Sequence, residues 1–144
     1  MVFHAGSLSI PMKSIEVEYE KLHPEIDIVR EASGSRKAAR KISDLHRDCD
    51  VFLSADYRVI DNLLIPEFTD HLISFAGNAM VIAYNNQSNY ANEISQTNWR
   101  EILIRNDVRY GRTDADLDPC GYRTLFLFQL ASHTDTFFNV EMLG

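Results

Sequence analysis

The feature that most constrains this chain is an alternation in its first half: a short apolar run, a Gly/Ser or Asp turn, then an amphipathic stretch at helical spacing. That alternation is the pattern of βα units, which build a parallel sheet. Val2 and Phe3 begin a strand and Gly6-Ser7 turns it. Leu8, Met12, Ile15, Tyr19 and Leu22 then recur at spacings of four and three along one helical face. Pro11 fits the first turn of that helix, and His23-Pro24 stops it. Ile26, Asp27, Ile28 and Val29 read as a second strand, after which Ser33-Gly34-Ser35 turns into a helix with Ala38, Ile42 and Leu45 on one face. The third strand is Val51, Phe52 and Leu53, ending at Ser54-Ala55-Asp56 before a helix through Val59 and Leu63.

After a loop around Pro66, residues 72–84 read as extended chain interrupted by Gly77-Asn78, a crossover into a second lobe. The division is then a first α/β lobe over 1–75 and a second, partial lobe over 76–144. The second lobe carries a polar loop at 85–89, a helix over 98–105 with Trp99, Ile102 and Leu103 inward, and a strand at Val108, Arg109 and Tyr110. An aspartate-rich loop at 113–118 leads into a helix from Pro119 to about Ser132, and the tail from His133 is weakly patterned. No fixed-period repeat or low-complexity segment is present, which excludes a solenoid or a disordered linker.

Composition narrows the function. With 144 residues and 45% apolar content the chain can bury a sizeable core. Its longest uncharged apolar run, residues 125–130, falls far short of the roughly 20 residues needed to cross a bilayer, so no membrane insertion is expected. Met1 leads directly into Val2, Phe3 and His4 without a secretory leader pattern. A net charge of -7 argues against nucleic acid, whose partners need clustered Lys and Arg. It does not argue against a small anion held in a cleft by local dipoles. Cys49 and Cys120 have no metal-type spacing with the five histidines, so neither a zinc site nor a disulfide is expected.

In an open α/β sheet, ligands sit beyond the carboxyl ends of the strands, where helix N-termini present unsatisfied N–H groups. Gly6-Ser7 and Gly34-Ser35 each put a glycine, which lets backbone approach closely, before a serine at a helix start. Asp118-Pro119-Cys120-Gly121-Tyr122 opens the second-lobe helix in a similar way. Ser7, Ser35 and Cys120 are therefore expected at helix N-termini around one crevice. Each has a plainer reading as well: serine and aspartate are common N-caps, and Asp118-Pro119 is a good cap and first-turn pair. Cys120 in a first turn also fits a thiol nucleophile, although no histidine is linked to it in sequence as a base. His4 reads as a satisfied residue at a strand end. Asp56 fits a helix cap as well as a cleft residue.

Several strings together carry a resemblance. They are Phe3-His4-Ala5-Gly6-Ser7-Leu8-Ser9, Arg30-Glu31-Ala32-Ser33-Gly34-Ser35, Ser54-Ala55-Asp56-Tyr57 and Asp118-Pro119-Cys120-Gly121-Tyr122-Arg123, joined by Ile65-Pro66-Glu67, Met80-Val81-Ile82-Ala83-Tyr84 and Asn98-Trp99-Arg100-Glu101-Ile102-Leu103. In this order, over most of residues 2–130, the chain resembles the archaeal molybdate/tungstate-binding proteins of ABC importers. The resemblance implies a type II periplasmic-binding-protein fold, two α/β lobes around a cleft, here incomplete on the C-terminal side. It implies an extracytoplasmic location, an ABC transporter permease as partner, molybdate or tungstate as ligand, and no catalytic cofactor. Ser7 and Ser35 would bond the oxyanion oxygens, Cys120 would donate its backbone N–H, and Asp118 would place a carboxylate oxygen on the molybdenum or tungsten. The family's second carboxylate, a glutamate, would follow Gly144, and Glu141 is not given that role. The chain thus reads as truncated at both ends.

The alternatives are a binder of another small anion such as sulfate or phosphate on the same fold, a remnant that binds nothing, and an enzyme with Cys120 as nucleophile. A cleft-facing Asp118 favours the metal oxyanion, because a sulfate-type site uses neutral donors.

Overall fold

A computed structural model of the chain describes residues 1–134 and Phe138. The first unit, Met1–Asn78 with Asp116–Pro119, is built on three parallel strands. Strand β1 spans Val2–Ala5, β2 Arg30–Ser33 and β3 Val51–Leu53, in the spatial order β2-β1-β3. Each strand runs into a helix. β1 passes through a 3₁₀ turn, Gly6–Leu8, into α1 (Ser9–Leu22), β2 leads to α2 (Ser35–Ser43), and β3 to α3 (Tyr57–Leu63). The three expected βα units are therefore present.

The second strand differs from its expected position. It lies four residues later, at Arg30–Ser33, because the amides of the apolar run are committed elsewhere. The Ile26 N–H bonds the His23 carbonyl at 2.9 Å, and the Ile28 N–H bonds the Glu20 carboxylate of α1 at 2.8 Å. The ladder starts only where the Val2 N–H reaches the Val29 carbonyl, at 2.8 Å. A strand as charged as Arg30-Glu31 is tolerable at a sheet edge, where β2 lies.

Side chains alternate across a strand, so the two faces of this sheet hold different networks. On one face lies Phe3, fully buried, with the Arg47 guanidinium 4.9 Å and the Lys41 ammonium 5.8 Å from its ring centre. Both cations also bind Glu31, the register partner of Phe3, Arg47 at 2.8 Å. On the other face lies buried His4, with Arg30 and Glu16 of α1 beyond it. Under α2 and α3, Ala39, Val59 and Leu64 form a small apolar cluster backed by Ile42, Phe52 and Phe68.

Two helical faces bury less than their periodicity suggests. Of the α1 stripe, Met12 is buried while Ile15, Tyr19 and Leu22 are exposed. Leu45 is also exposed, since α2 ends at Ser43.

The second unit comprises Ala79–Ala115 and the chain from Cys120 on. It contains α4 (Trp99–Leu103) and, from its second residue, α5 (Pro119–Thr134). Its core gathers Leu103, Phe128, Ala131 and Phe138, with Trp99, Val108 and Tyr110 against them. Tyr110 and Phe138 each meet Phe128 edge-on, at 5.6 and 5.9 Å between ring centres. Residues 108–110, expected as a strand, are irregular and serve this core. Residues 72–84, expected as an extended crossover, are free of helix and ladder, the boundary between the units falls among them after Asn78, and Ile73 and Val81 are mostly exposed. A strand is defined by its partner's hydrogen bonds, and among the described residues this segment has no partner strand. Glu141 lies outside the described residues.

The charge networks give the fold an acid limit. Lys41 first, then Arg47, hold the Glu31 carboxyl below the usual carboxylate range, and Lys13 and then Arg30 do the same for Glu16. A depressed folded pKa contributes stability that is complete above the unfolded value and is lost as pH falls through the folded one. Thermal unfolding should therefore give a Tm that is flat from neutral pH down to about 5 and falls below it. Glu31→Gln should lower the neutral Tm and flatten the acid slope; an unchanged slope would remove this account.

Candidate functional site

Register decides which turns meet. Ala5 pairs with Ser33 and His4 with Leu53, so Gly6-Ser7, Gly34-Ser35 and Ser54-Ala55 all leave the sheet at one edge and at nearly one level. This is the carboxyl edge, where an open parallel sheet presents helix starts to a ligand. Two of the three helix starts lack a side-chain cap. Ala5 precedes the 3₁₀ turn and Gly34 precedes α2, neither with a side-chain hydrogen bond to a first-turn amide. The third start is capped, Asp56 Oδ1 accepting from the Arg58 N–H at 3.0 Å. Asp56 is thus a cap of α3, buried at the turn.

Ser7 and Ser35 are not caps. Ser7 lies inside the 3₁₀ turn and is exposed, while Ser35 is the first residue of α2 and is fully buried. The Ser35 hydroxyl accepts from the Ala55 N–H at 3.0 Å, tying the second turn to the third and leaving its own proton to donate. Sequence reasoning missed this role of Ala55, and a backbone amide leaves no signal in residue type. Helix α2 carries Arg36 and Lys37 in its first turn, Arg40 and Lys41 in its last, and no acidic residue, in a chain of charge -7.

Asp118 packs in the first unit, beside the start of α2. The Lys37 N–H, a first-turn donor of α2, bonds the Leu117 carbonyl at 3.2 Å. Gly34 makes the approach feasible: a Cβ there would fall 2.5 Å from the Leu117 carbonyl oxygen and 2.9 Å from Asp118 Oδ2. Asp118 is half-buried and immediately precedes Pro119, the first residue of α5. Cys120, exposed and outside any disulfide, is the second residue of α5, and its carbonyl accepts from the Thr124 hydroxyl at 2.7 Å. Cys120 belongs to the second unit. There the Thr113–Ala115 backbone crosses so close to Gly121 that a Cβ would collide with it. The first unit therefore brings Ser7, Ser35 and Asp118 to three turns that meet at or beside one sheet edge, and Cys120 follows Asp118 by two residues in the chain.

Residues 1–141 match the family described as bacterial extracellular solute-binding protein. An uncharacterized solute-binding protein of Petrotoga mobilis is 51% identical over 143 residues, which is 99% of this chain and 44% of the relative. The molybdate/tungstate-binding protein WtpA of Thermococcus kodakarensis is 44% identical over 138 residues, 91% of this chain and 39% of the relative. WtpA of Pyrococcus abyssi is 43% identical over 138 residues, 91% of this chain and 40% of the relative. The chain thus spans less than half the length of these curated relatives.

The glycine contacts separate two substitutions that look alike. Gly34 has φ -58° and ψ 138°, a conformation open to any residue, so the cost of Gly34→Ala is steric alone. It should lower stability by about 1 to 3 kcal/mol, as overpacking does. Gly6→Ala, with nothing within 4 Å of the added Cβ, should stay within about 0.5 kcal/mol of the parent. Urea denaturation of both variants checks this, and equal midpoints would show that the Leu117–Asp118 segment yields freely.

Proposed function

Because this chain belongs to the bacterial extracellular solute-binding protein family, we propose that it captures molybdate or tungstate outside the cytoplasm for an ABC importer and catalyses no reaction. Its architecture is the α/β type II periplasmic-binding-protein fold, present in part. The observation that carries the reading is the meeting of two Gly-Ser helix starts without side-chain caps at one sheet edge, with Asp118 packed against the second of them. Two relatives bearing the molybdate/tungstate-binding name support the choice of ligand.

In this reading Ser7 and Ser35 donate hydroxyl protons to oxyanion oxygens, and the amide ends of the two turns add backbone donors. Such donors suit an anion because they are fixed before it arrives and lose little on ordering. Cys120 contributes its backbone N–H, so its thiol is dispensable. Asp118 has the distinctive role. A carboxylate repels an oxyanion as a whole but is attracted to a Lewis-acidic molybdenum or tungsten at its centre, and at bonding distance the metal's own charge dominates the local field. Sulfate and phosphate offer no such centre, so a carboxylate in contact with the ligand selects the metal oxyanions. Among the described residues no helix is long and apolar enough to cross a membrane.

Calorimetric titration of the 144-residue chain with molybdate, tungstate and sulfate tests the proposal. Molybdate and tungstate should bind, and sulfate more weakly. Asp118→Asn should lower molybdate affinity by about one to two decades, the loss of a charge-assisted contact worth roughly 1.5 to 3 kcal/mol, and leave sulfate equal or improved. Cys120→Ala should leave binding within about twofold, since the amide survives. Equal loss of all three ions in Asp118→Asn would make Asp118 a structural residue and return the choice to sulfate or phosphate. Absence of any heat would mark a remnant that binds nothing.

A further inference from the structure

His4 lies on the central strand two residues before the first Gly-Ser turn and is 1% exposed. Both ring nitrogens have directional partners. Nδ1 lies 2.9 Å from the Ala5 carbonyl oxygen, and Nε2 lies 3.2 Å from Nη1 of Arg30. A carbonyl only accepts and a guanidinium only donates, so the proton sits on Nδ1 and the Nε2 lone pair receives Arg30. The same Nη1 approaches the carbonyl oxygen of Ser9, the first residue of α1, at 3.5 Å. Arg30 Nε is held by Glu16, whose other carboxylate oxygen takes the Lys13 ammonium at 2.7 Å. Inside the turn, the Ser9 hydroxyl donates to the Gly6 carbonyl at 2.8 Å.

One guanidinium therefore holds both ends of the 5–9 segment, through His4 at Ala5 and directly at Ser9. We propose that His4 and Arg30 are positioning residues for the oxyanion site: they set the direction of the Gly6 amide through the Ala5 carbonyl, and that of the Ser7 amide through Ser9, whose hydroxyl holds the Gly6 carbonyl. The step from carbonyl to amide is geometric. A trans peptide is planar, with its C=O and the following N–H pointing to opposite sides, so an Ala5 carbonyl pinned toward the His4 ring aims the Gly6 N–H away from it. No side chain of the turn caps these amides, so their aim comes from behind, from the far side of the sheet edge. Any buried histidine needs both nitrogens satisfied; what bears on the turn here is that the partners lie at its two ends, the Ala5 carbonyl directly and the Ser9 carbonyl through Arg30. The inference rests on the oxyanion reading of the Gly6-Ser7 turn, but the ordering it describes exists without ligand.

The test is NMR relaxation on the free 144-residue chain, with molybdate titration alongside, for the parent, His4→Leu and His4→Asn. In the parent, the Gly6 and Ser7 amide order parameters should lie near the rigid value of about 0.85. In His4→Leu they should fall below about 0.6 while the α2 amides hold, and the molybdate Kd should rise roughly tenfold. His4→Asn, which keeps a nitrogen donor near the place of Nδ1, should restore both. Gly6 and Ser7 amides as ordered in His4→Leu as in the parent, or no rescue by asparagine, would overturn the proposal. Disorder and rescue as expected in a parent that binds none of molybdate, tungstate and sulfate would instead retire the oxyanion reading and leave the positioning role standing. Should His4→Leu not fold, Arg30→Lys carries the same expectation at Gly6 and Ser7, because an ammonium cannot span the histidine, the carboxylate and the Ser9 carbonyl as the planar fork does. Full order there would overturn the proposal equally.

Discussion

The parallel register of β1 with its two neighbours is the constraint on which the first unit depends. In a parallel sheet all strands finish at the same edge, and each must leave it by a turn into a helix. Once Ala5 pairs with Ser33 and His4 with Leu53, the chain has no choice about where three helix starts fall. A slip of one residue would exchange the faces of β1, putting His4 where Phe3 lies under Arg47 and Lys41. The register is thus defended by chemistry on both faces: an aromatic ring under two cations on one, an imidazole bonded at both nitrogens on the other. Edge strand β2 adds Arg30 to one network and Glu31 to the other. Charges that would be unfavourable in a central strand here lock the strand's orientation.

Backbone, more than side chain, builds the candidate site. The Leu117 carbonyl closes a first-turn amide of α2, and the Ala55 amide occupies the Ser35 hydroxyl. The Leu117 contact requires a missing Cβ at Gly34, where any side chain would meet the Leu117 carbonyl and the Asp118 carboxylate together. Gly121 plays the corresponding part within the second unit, where the Thr113–Ala115 backbone crosses it. The aspartate-rich loop is therefore held at its two ends by glycines that lie far apart in the sequence.

Legibility in the sequence follows the same division. Elements with a strong local signal were readable: the apolar strands β1 and β3, the spacing of α1, the Trp99, Ile102 and Leu103 face of α4, and the Asp-Pro start of α5. The family and its α/β fold were readable from short strings at the turns, where backbone geometry restricts the residue types most. β2 was misplaced because its apolar neighbours Ile26 and Ile28 have their amides captured by His23 and Glu20, contacts that periodicity does not encode. Residues 72–84 were readable as a connection because Gly77-Asn78 interrupts their apolar pattern where one unit ends, at Asn78, and the next begins. At the site, the helix-start positions of Ser7, Ser35 and Cys120 were legible from Gly-Ser and Pro-Cys-Gly, whereas the Leu117 carbonyl and the Ala55 amide were not. Main-chain atoms are common to every residue, so their roles appear only with coordinates.

An acidic chain proposed to take up a dianion looks like a contradiction until distance is considered. Surface charges more than about 8 to 10 Å away are largely screened at physiological salt, so the net charge of -7 acts mainly on solubility and approach. A ligand at the turns responds instead to groups within a few ångströms: amide dipoles at helix starts without side-chain caps, and the first turn of a helix carrying Arg36 and Lys37 with no acidic residue. Within that neutral-to-positive setting one carboxylate is tolerable if it meets a metal centre and costly if it meets an oxygen. Placement of Asp118 against Gly34 sets it close to the start of α2, where a ligand would also touch Ser35. The same residue therefore raises the cost of binding for simple oxyanions and lowers it for molybdate or tungstate, so discrimination in this reading comes from a repulsive element as much as from the attractive donors around it.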